Sequence, residues 1–583
     1  MIRERLNALR SKMADQHIDA YFINTSDYHM SEYIPEYFKT LRYFSGFTGS
    51  LGQLIVTKDD AFLFVDGRYH GQASQETEQY GIKVQKLGVK GVLSAGDFLI
   101  ENCKDSVIGF DGRCVNYAFT KKLINHGLKL KSVDLYSDIF EGRKPLGQDP
   151  LYKLDVKYAG LSRKEKLDII KRSLDGKTHI IQNLESIAYL LNLRANDIAY
   201  TPVFLSYMVF DQDEAYLFIN QERLSDDILM ELYEDGVIIK PYEAYYDFIK
   251  TLKKRVILLD EAKVNYDAYT SLDDSNKIYH MRSIVEDMKT VKNPVEIENF
   301  KMAHIYDGVA MVRFLKWLKE ADKETLNEYD VKETLNKIRL GYRAFDLSFE
   351  TIVGYNANAA MMHYTPTKDR HAQLHNEGIL LVDSGGHYLE GTTDITRTIA
   401  LGPVSEKVKK YFTLVLKSMY NLSEVKFLDG MCGNQLDILA RKDLWELGVD
   451  YRCGTGHGVG YALSVHECPP NVRYSRDREG ADVAIKPGNI FSDEPGVYFE
   501  GEFGIRCENL VLCKRAFENE YGTFNELETI TVVPFDLDLI DKRYLDQKTI
   551  DALNTYHERV YQTLCPYLNE EECAFLREAT RRI

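Results

Sequence analysis

The sequence predicts an α/β (α+β) protein in three parts, two related smaller domains followed by one larger domain. Three observations predict it. The chain has 583 residues, too many for one ordinary core. Its composition, 44% hydrophobic and 28% charged, is that of a folded chain rather than a disordered one. Two stretches of the first half also run through the same succession of helix, loop, strand, acidic turn and strand.

In the first stretch, Asp27, His29, Ser31 and Glu32 lead into Phe44-Ser45-Gly46-Phe47. Two strand-like runs follow, 51–57 and 61–66, joined by a turn at Lys58-Asp59-Asp60. In the second, a helical run at 184–191 precedes an apolar run at 202–210, a turn at Asp211-Gln212-Asp213 and a further strand at 215–219. A charged helix over 162–174 opens this second part, its Lys and Glu run forming a solvated face. Domains of the usual size result, placed at 1–157 and 158–285.

The third part, 286–583, starts with a strong helix signal. Asn293 caps, Pro294 fits the first helical position, and Glu296 stands three residues after the cap. Phe300, Met311, Leu315 and Leu318 then fall on one helical face. A second helix runs from Ser405, with Val408, Phe412, Val415, Met419 and Leu422 as its apolar stripe. Strands are predicted at 379–382, 395–401, 489–491 and 503–511. The apolar stripes are core.

Several function classes are excluded. The net charge is −16, from 73 basic and 89 acidic residues. That balance argues against a nucleic-acid partner or an anionic membrane surface, both of which need clustered Lys and Arg. No apolar run approaches the ~18 residues of a membrane span. Met1 to Leu6 mix charges and lack the apolar stretch of a signal peptide. The nine cysteines are an odd number with no C-x-x-C pair, and read as reduced thiols of a cytoplasmic protein.

The chemistry lies in the third part. An apolar run ends at Asp383, the chain turns over Gly385 and Gly386, and Asp394 returns eleven positions later. In a hairpin the two carboxylates can meet, and such a pair persists only with a proton or a cation between them. Taken singly, acids in turns are commonplace. Next, Gly454, Gly456, Gly458 and Gly460 surround His457. This pattern is neither G-x-G-x-x-G nor a P-loop, and it allows the close backbone approach that a ligand in a tight site requires. A lone His is as readily structural. Pro495 then holds Glu494 extended. In a strand, Arg506 and Glu508 share one face while Cys507 points away. Arg506 could orient a ligating carboxylate or help hold a substrate, an ordinary salt bridge being the plain alternative. Rival chemistries fail: His466-Glu467 begins like H-E-x-x-H, but Pro469 and Pro470 break the helix and no second His arrives. There is no G-x-S-x-G nucleophile elbow.

Asp383, Asp394, His457, Glu494 and Glu508, in that order and with those flanks, resemble the five ligands of the pita-bread metallopeptidases, the superfamily of methionine aminopeptidase, prolidase and aminopeptidase P. The resemblance implies two divalent metal ions per chain. Asp383 would chelate one, His457 and Glu494 would hold the other, and Asp394 and Glu508 would bridge them. Four carboxylates with one imidazole suit Mn²⁺ or a similar hard ion better than a thiolate zinc site does. Zn²⁺ and Co²⁺ are the alternatives.

The segments 31–34, 45–47, 66–69, 192–194, 202–204 and 576–580 are similar to the long, three-domain cytosolic form of aminopeptidase P, so the resemblance covers nearly the whole chain. It implies two creatinase-type N-terminal domains, then a pita-bread domain with a C-terminal extension and a homodimer formed through it. The implied substrate is a peptide with proline at position two, cleaved before that proline by a hydroxide held between the ions. His363 would stabilise the tetrahedral intermediate, His466 would contact substrate around the scissile bond, and Glu494 would carry the proton to the leaving nitrogen. Arg68 is similar to a first-domain arginine that reaches the substrate. One position departs from the pattern: Cys453 stands where the family commonly carries a His, which removes a cationic donor but touches none of the five ligands. The rival readings are a prolidase, restricted to dipeptides, and a non-catalytic pita-bread protein, a class that has usually lost ligands.

Overall fold

The computed structural model describes residues 2–475 and 480–583. The chain divides into two compact units. One runs up to Val156 and continues over Leu161–Glu286; the other combines Lys157–Gly160 with Asp287–Ile583.

The first unit holds two six-stranded sheets. In one the order is Lys83–Lys86, Ala61–Val65, Gln53–Thr57, Ala20–Asn24, Val107–Phe110 and Lys129–Ser132. In the other it is Val237–Lys240, Glu214–Phe218, Tyr207–Asp211, Thr178–Ile181, Val256–Leu259 and Lys277–His280. Position by position the two sheets agree in order. They agree in sense as well: the third and fourth strands of each order are antiparallel, as are the second and third, and the other pairs are parallel. The repeat read from the sequence is therefore a repeat of topology.

The same relation reaches single residues. Asn116 and Asn265 each cap the helix after the fifth strand of their sheet, Tyr117–Asn125 and Tyr266–Thr270. They face each other in an antiparallel bridge, in which Tyr117 N donates to Val264 O at 2.9 Å and Tyr266 N to Val115 O at 2.8 Å. The charged helix is Arg163–Leu174, closed at its start by a Ser162–Glu165 capping box.

In the second unit, Asn293 caps the helix Pro294–Glu320 through a capping box with Glu296, with Pro294 in the first turn. Phe300, Met311 and Leu318 are buried on it, and Leu315 packs at the edge of the same core. Ser405 caps Glu406–Ser423, whose five predicted stripe residues are all buried. Two antiparallel sheets matter for the site. One has three strands, Ile352–Tyr355, Ile379–Ser384 and Ile395–Ala400. The other has six, in the order Lys426–Leu428, Gly522–Thr529, Asn509–Asn519, Ile490–Asp493, Gly456–Gly458 and Glu467–Val472.

The single strand expected over 503–511 is two strands. Phe503–Arg506 pairs with Gly496–Phe499, whereas Asn509–Asn519 belongs to the six-stranded sheet. Cys507 and Glu508 make the crossing, and a chain that changes sheets cannot keep one ladder. Among the described residues no helix is long and apolar enough to cross a membrane, and the nine cysteines are free thiols.

Candidate metal centre

Asp383 lies in the three-stranded sheet, and Asp394 directly precedes its strand Ile395–Ala400. Asp383 lies opposite Thr396 in the register, and Ser384 opposite Ile395, so the hairpin brings Asp394 back beside Asp383. Gly385 is obligatory in the turn, because a Cβ there would sit 1.9 Å from Thr393 O. His457 lies in the six-stranded sheet, and Glu494 directly follows its strand Ile490–Asp493. Glu494 N donates to Thr455 O at 2.8 Å, and His457 N to Ser492 Oγ at 3.0 Å. The glycines around His457 are required by close approach: a Cβ on Gly456 would meet Ser492 O at 1.8 Å, and one on Gly458 would meet Glu467 O at 2.3 Å.

These segments converge. Asp394, His457 and Glu508 each offer a ligand atom, and the three atoms lie within 4.8 Å of one another. His457 Nε2 is 3.5 Å from Asp394 Oδ2 and 3.3 Å from Glu494 Oε1. Its Nδ1 lies 2.9 Å from Gly458 O, which fixes the ring and turns Nε2 toward the carboxylates. Asp383 gives Oδ2 to the Arg506 guanidinium, while its buried Oδ1 has no hydrogen-bond partner.

The electrostatics follow from four carboxylates in one buried place. Burial, reinforced by Asp394 and Glu494 against the pull of Arg506, pushes Asp383 up to about 7. Burial, then Asp394, Glu494 and Asp383, holds Glu508 well above the usual carboxylate range. Asp394 is raised by burial, with His457 opposing. Burial would lower the His457 imidazole, but Asp394 and Glu494 outweigh it and raise it well above 6.5. The same imidazole outweighs burial at Glu494 and lowers that carboxyl. A set of hard oxygen donors that repel one another, with one unpartnered oxygen among them, suits divalent cations.

The two expected histidines sit differently. The His466 ring lies 4.4 Å from that of His457, nearly perpendicular to it. His363 follows Met362, whose carbonyl is 3.5 Å from Arg506 Nη2. Arg506 also donates to Tyr498 at 2.7 Å and to Thr396 Oγ1 at 3.0 Å, so it meets several groups and is more than one partner of a salt bridge. Arg68 belongs to the first unit, where Asp66 holds its guanidinium through contacts of 2.7–3.2 Å. Burial and the Glu494 charge push the Cys453 thiol up to about 11.

Sequence reasoning missed the residues behind the site. Three arginines, fully buried, each clamp a segment that carries one of the candidate ligands. Arg397 Nη1 donates to Glu508 O at 2.5 Å and Nη2 to Asn509 Oδ1 at 2.9 Å. Arg441 pairs with Asp437 and donates to Cys453 O at 2.8 Å, and Thr455 Oγ1 donates to Asp437 Oδ1 at 2.5 Å. Arg339 pairs with Asp307 and reaches Ser384. Asp493, wholly buried beside Glu494, has no partner for either oxygen.

Comparisons with known proteins give the family. Models of the Creatinase/Prolidase N-terminal domain match residues 5–143 and 142–296. Metallopeptidase family M24 matches 298–515, and the C-terminal region of that peptidase matches 523–583. A probable Xaa-Pro aminopeptidase P of Sordaria macrospora is 35% identical over 98% of this chain and 97% of its own length. The chain belongs to the Xaa-Pro aminopeptidase P family.

Xaa-Pro aminopeptidase 1 of Dictyostelium discoideum is 34% identical over 98% of this chain and 94% of its own. The X-prolyl aminopeptidase of Caenorhabditis elegans, described as a cytosolic enzyme with a di-nuclear active site, superposes with a TM-score of 0.94 and 30% identity over 100% of both chains. The fold is thus two creatinase N-terminal domains and an M24 metallopeptidase domain, and the chain is a metallopeptidase of the Xaa-Pro aminopeptidase kind.

Proposed function

We propose that the protein hydrolyses the bond between an N-terminal residue and a following proline, with Asp383, Asp394, His457, Glu494 and Glu508 holding two divalent ions. The observation that carries this reading is the convergence of Asp394, His457 and Glu508 within 4.8 Å, with Asp383 Oδ1 buried and unpartnered beside them. Bound there, two ions would supply a Lewis acid and a water made nucleophilic at neutral pH. Mn²⁺ fits the oxygen-rich donor set.

The remaining steps belong to side chains of the chain itself. His363 donates to the scissile carbonyl oxygen as negative charge develops. His466, beside His457, contacts the substrate around the scissile bond. Glu494 carries a proton to the proline nitrogen, a tertiary amide nitrogen that must be protonated to leave. Arg506 orients Asp383 and lies close enough to the cluster to meet substrate as well. Proline has no N–H to recognise, so an apolar, ring-shaped pocket must select it.

We further place the domain borders after residues 157 and 285, outside both six-stranded sheets, whose outer strands end at Ser132 and His280. A cytoplasmic location and a homodimer formed through residues 286–583 complete the reading. The free thiols and the description of the Caenorhabditis elegans relative as cytosolic support the first; the family resemblance alone supports the second. A dipeptide-restricted prolidase is less favoured, because the family similarity extends over all three domains. The test compares Arg-Pro-Pro with Arg-Ala-Pro on the purified Mn²⁺-loaded protein. Release of arginine from the first, and at least thirtyfold slower release from the second, is expected at roughly 2 kcal/mol or more of discrimination. Equal rates would leave a metalloaminopeptidase without proline selectivity, and inactivity on both tripeptides would return the prolidase reading.

A further inference from the structure

Asp307 and Arg339 form an ion pair with no exposed surface. Asp307 lies within the helix Pro294–Glu320 and Arg339 in the last turn of Glu328–Leu340. Arg339 Nε donates to Asp307 Oδ1 at 2.6 Å, and Nη2 approaches Oδ2 at 3.3 Å. Two further hydroxyls complete the carboxylate: Tyr388 donates to Oδ1 at 2.9 Å and Thr393 to Oδ2 at 3.0 Å. Arg339 Nη2 also donates to Ser384 Oγ at 3.1 Å. Ser384, Tyr388 and Thr393 are as fully buried as the pair itself.

The chain positions of these partners give the pair its meaning. Ser384 directly follows Asp383, and Thr393 directly precedes Asp394. In the strand Ile379–Ser384 successive side chains face opposite ways, so Asp383 turns to the carboxylate cluster while Ser384 turns to Arg339. One ion pair thereby pins both segments, each through one hydroxyl. Burying an ion pair is costly, and apolar residues of the same size often stabilise as well or better, so stability alone is a weak reason for it. Fixing two ligand segments at one spacing is a stronger one, because outer partners that orient metal ligands set metal affinity.

We propose that Asp307 and Arg339 are positioning residues that set the spacing of Asp383 and Asp394 for metal binding, acting through Thr393 and Ser384. The inference rests on the proposed two-metal reading of the site. Thr393→Val and Ser384→Ala each remove one tether and leave the ion pair intact, Thr393→Val also taking the acceptor of Gly386 N at 3.0 Å, whereas Thr393→Ser keeps the hydroxyl. The measurements are an Mn²⁺ titration of the chelator-stripped full chain, the visible absorption of its Co²⁺ form, and the melting temperature without metal. Thr393→Val and Ser384→Ala should bind Mn²⁺ about tenfold to a hundredfold more weakly and change the Co²⁺ spectrum. Their metal-free melting temperatures should stay within about 4 °C of the parent, and Thr393→Ser should behave as the parent does. Asp307→Asn should weaken binding at least as much. If that variant does not fold, the two tether variants decide. Parental affinity and spectrum in both tether variants would overturn the proposal and leave the pair a stabiliser of the fold. A parent chain that takes up no Mn²⁺ would instead overturn the proposed function, and this inference with it.

Discussion

Thr396 Oγ1 donates to Glu508 Oε2 at 2.7 Å and accepts from Arg506 Nε at 3.0 Å. One hydroxyl thus relays an arginine that also grips Asp383 to a second carboxylate of the cluster. All three side chains are buried, so neither charged group can turn to water if the relay is cut.

Thr396→Val keeps the shape and removes the relay. Glu508 would lose its hydroxyl donor and Arg506 an acceptor, at a cost of about 1.5–3 kcal/mol for a hydrogen bond to a charged group. A tenfold to hundredfold loss of Mn²⁺ affinity, with a matching fall in kcat/KM at limiting metal, is expected. Thr396→Ser should restore both. Equal metal titrations for the Val variant and the parent would show that Glu508 needs no such support.

His457→Ala and Glu508→Ala remove two of the proposed ligands. Activity on an Xaa-Pro peptide should fall by several orders of magnitude in each while circular dichroism stays that of the parent. Glu508→Ala should lose more metal by elemental analysis, since Glu508 is proposed to serve both ions and His457 one. Exhaustive chelation of the parent should abolish activity, with Mn²⁺ restoring it better than Mg²⁺. Undiminished turnover in verified metal-free protein would remove the mechanism.

Cys453 lies in the glycine-rich segment four residues before His457, its carbonyl held by Arg441 at 2.8 Å. Burial and the Glu494 charge push its thiol up to about 11, and no ligand role is proposed for it. Cys453→Ser should keep metal content and most activity, and Cys453→His should be tolerated. Loss of one metal equivalent in the Ser variant would make the thiolate a ligand and the proposed set of five incorrect.

What the sequence makes legible is what local chemistry determines. The caps at Asn293, Ser162 and Ser405 act over three residues, and the acidic turns at Asp59-Asp60 and Asp211–Asp213 join adjacent strands, so helix starts and the repeat can be read directly. The segments around Asp383, His457 and Glu494 can be read as well. Their glycines answer to clashes as close as 1.8 Å, and Pro495 restricts the residue before it. The crossing at Cys507 and Glu508 is not legible, because it is imposed by two sheets assembled from distant strands. Nor are the buried arginines. Arg339 meets Asp307 across 32 residues, Thr393 meets Asp307 across 86, and Arg397 meets Asn509 across 112. No periodicity records a contact of that range.

His29 gives the last prediction, one of stability against pH. Its ring is buried between the two repeats of the first unit, with Nδ1 3.0 Å from Gln182 O, Nε2 2.8 Å from the Tyr242 hydroxyl, and the Tyr207 ring 4.5 Å away. Burial lowers the imidazole from 6.5 to about 3. The unfolded chain takes up a proton near 6.5 and the folded chain does not until about 3. Between those values unfolding binds a proton, so stability falls as pH falls, by about 1.4 kcal/mol per pH unit for one such group. Above the upper value the neutral ring costs nothing and stability is flat in this group. His179 and His304 are lowered by burial in the same direction, and His557 is lowered to about 3, so the parent should lose stability steeply on acidification. His29→Gln keeps a polar side chain and deletes one of these protons. Its unfolding free energy, measured by denaturant titration, should therefore fall less than that of the parent between pH 6.5 and pH 4.5, by a difference of about 2.3 kcal/mol, the unfolded imidazole being already half protonated at the upper value. Parallel curves for the two proteins would mean that His29 takes up its proton in the folded state at an ordinary pH, and that the junction it occupies accepts a charge.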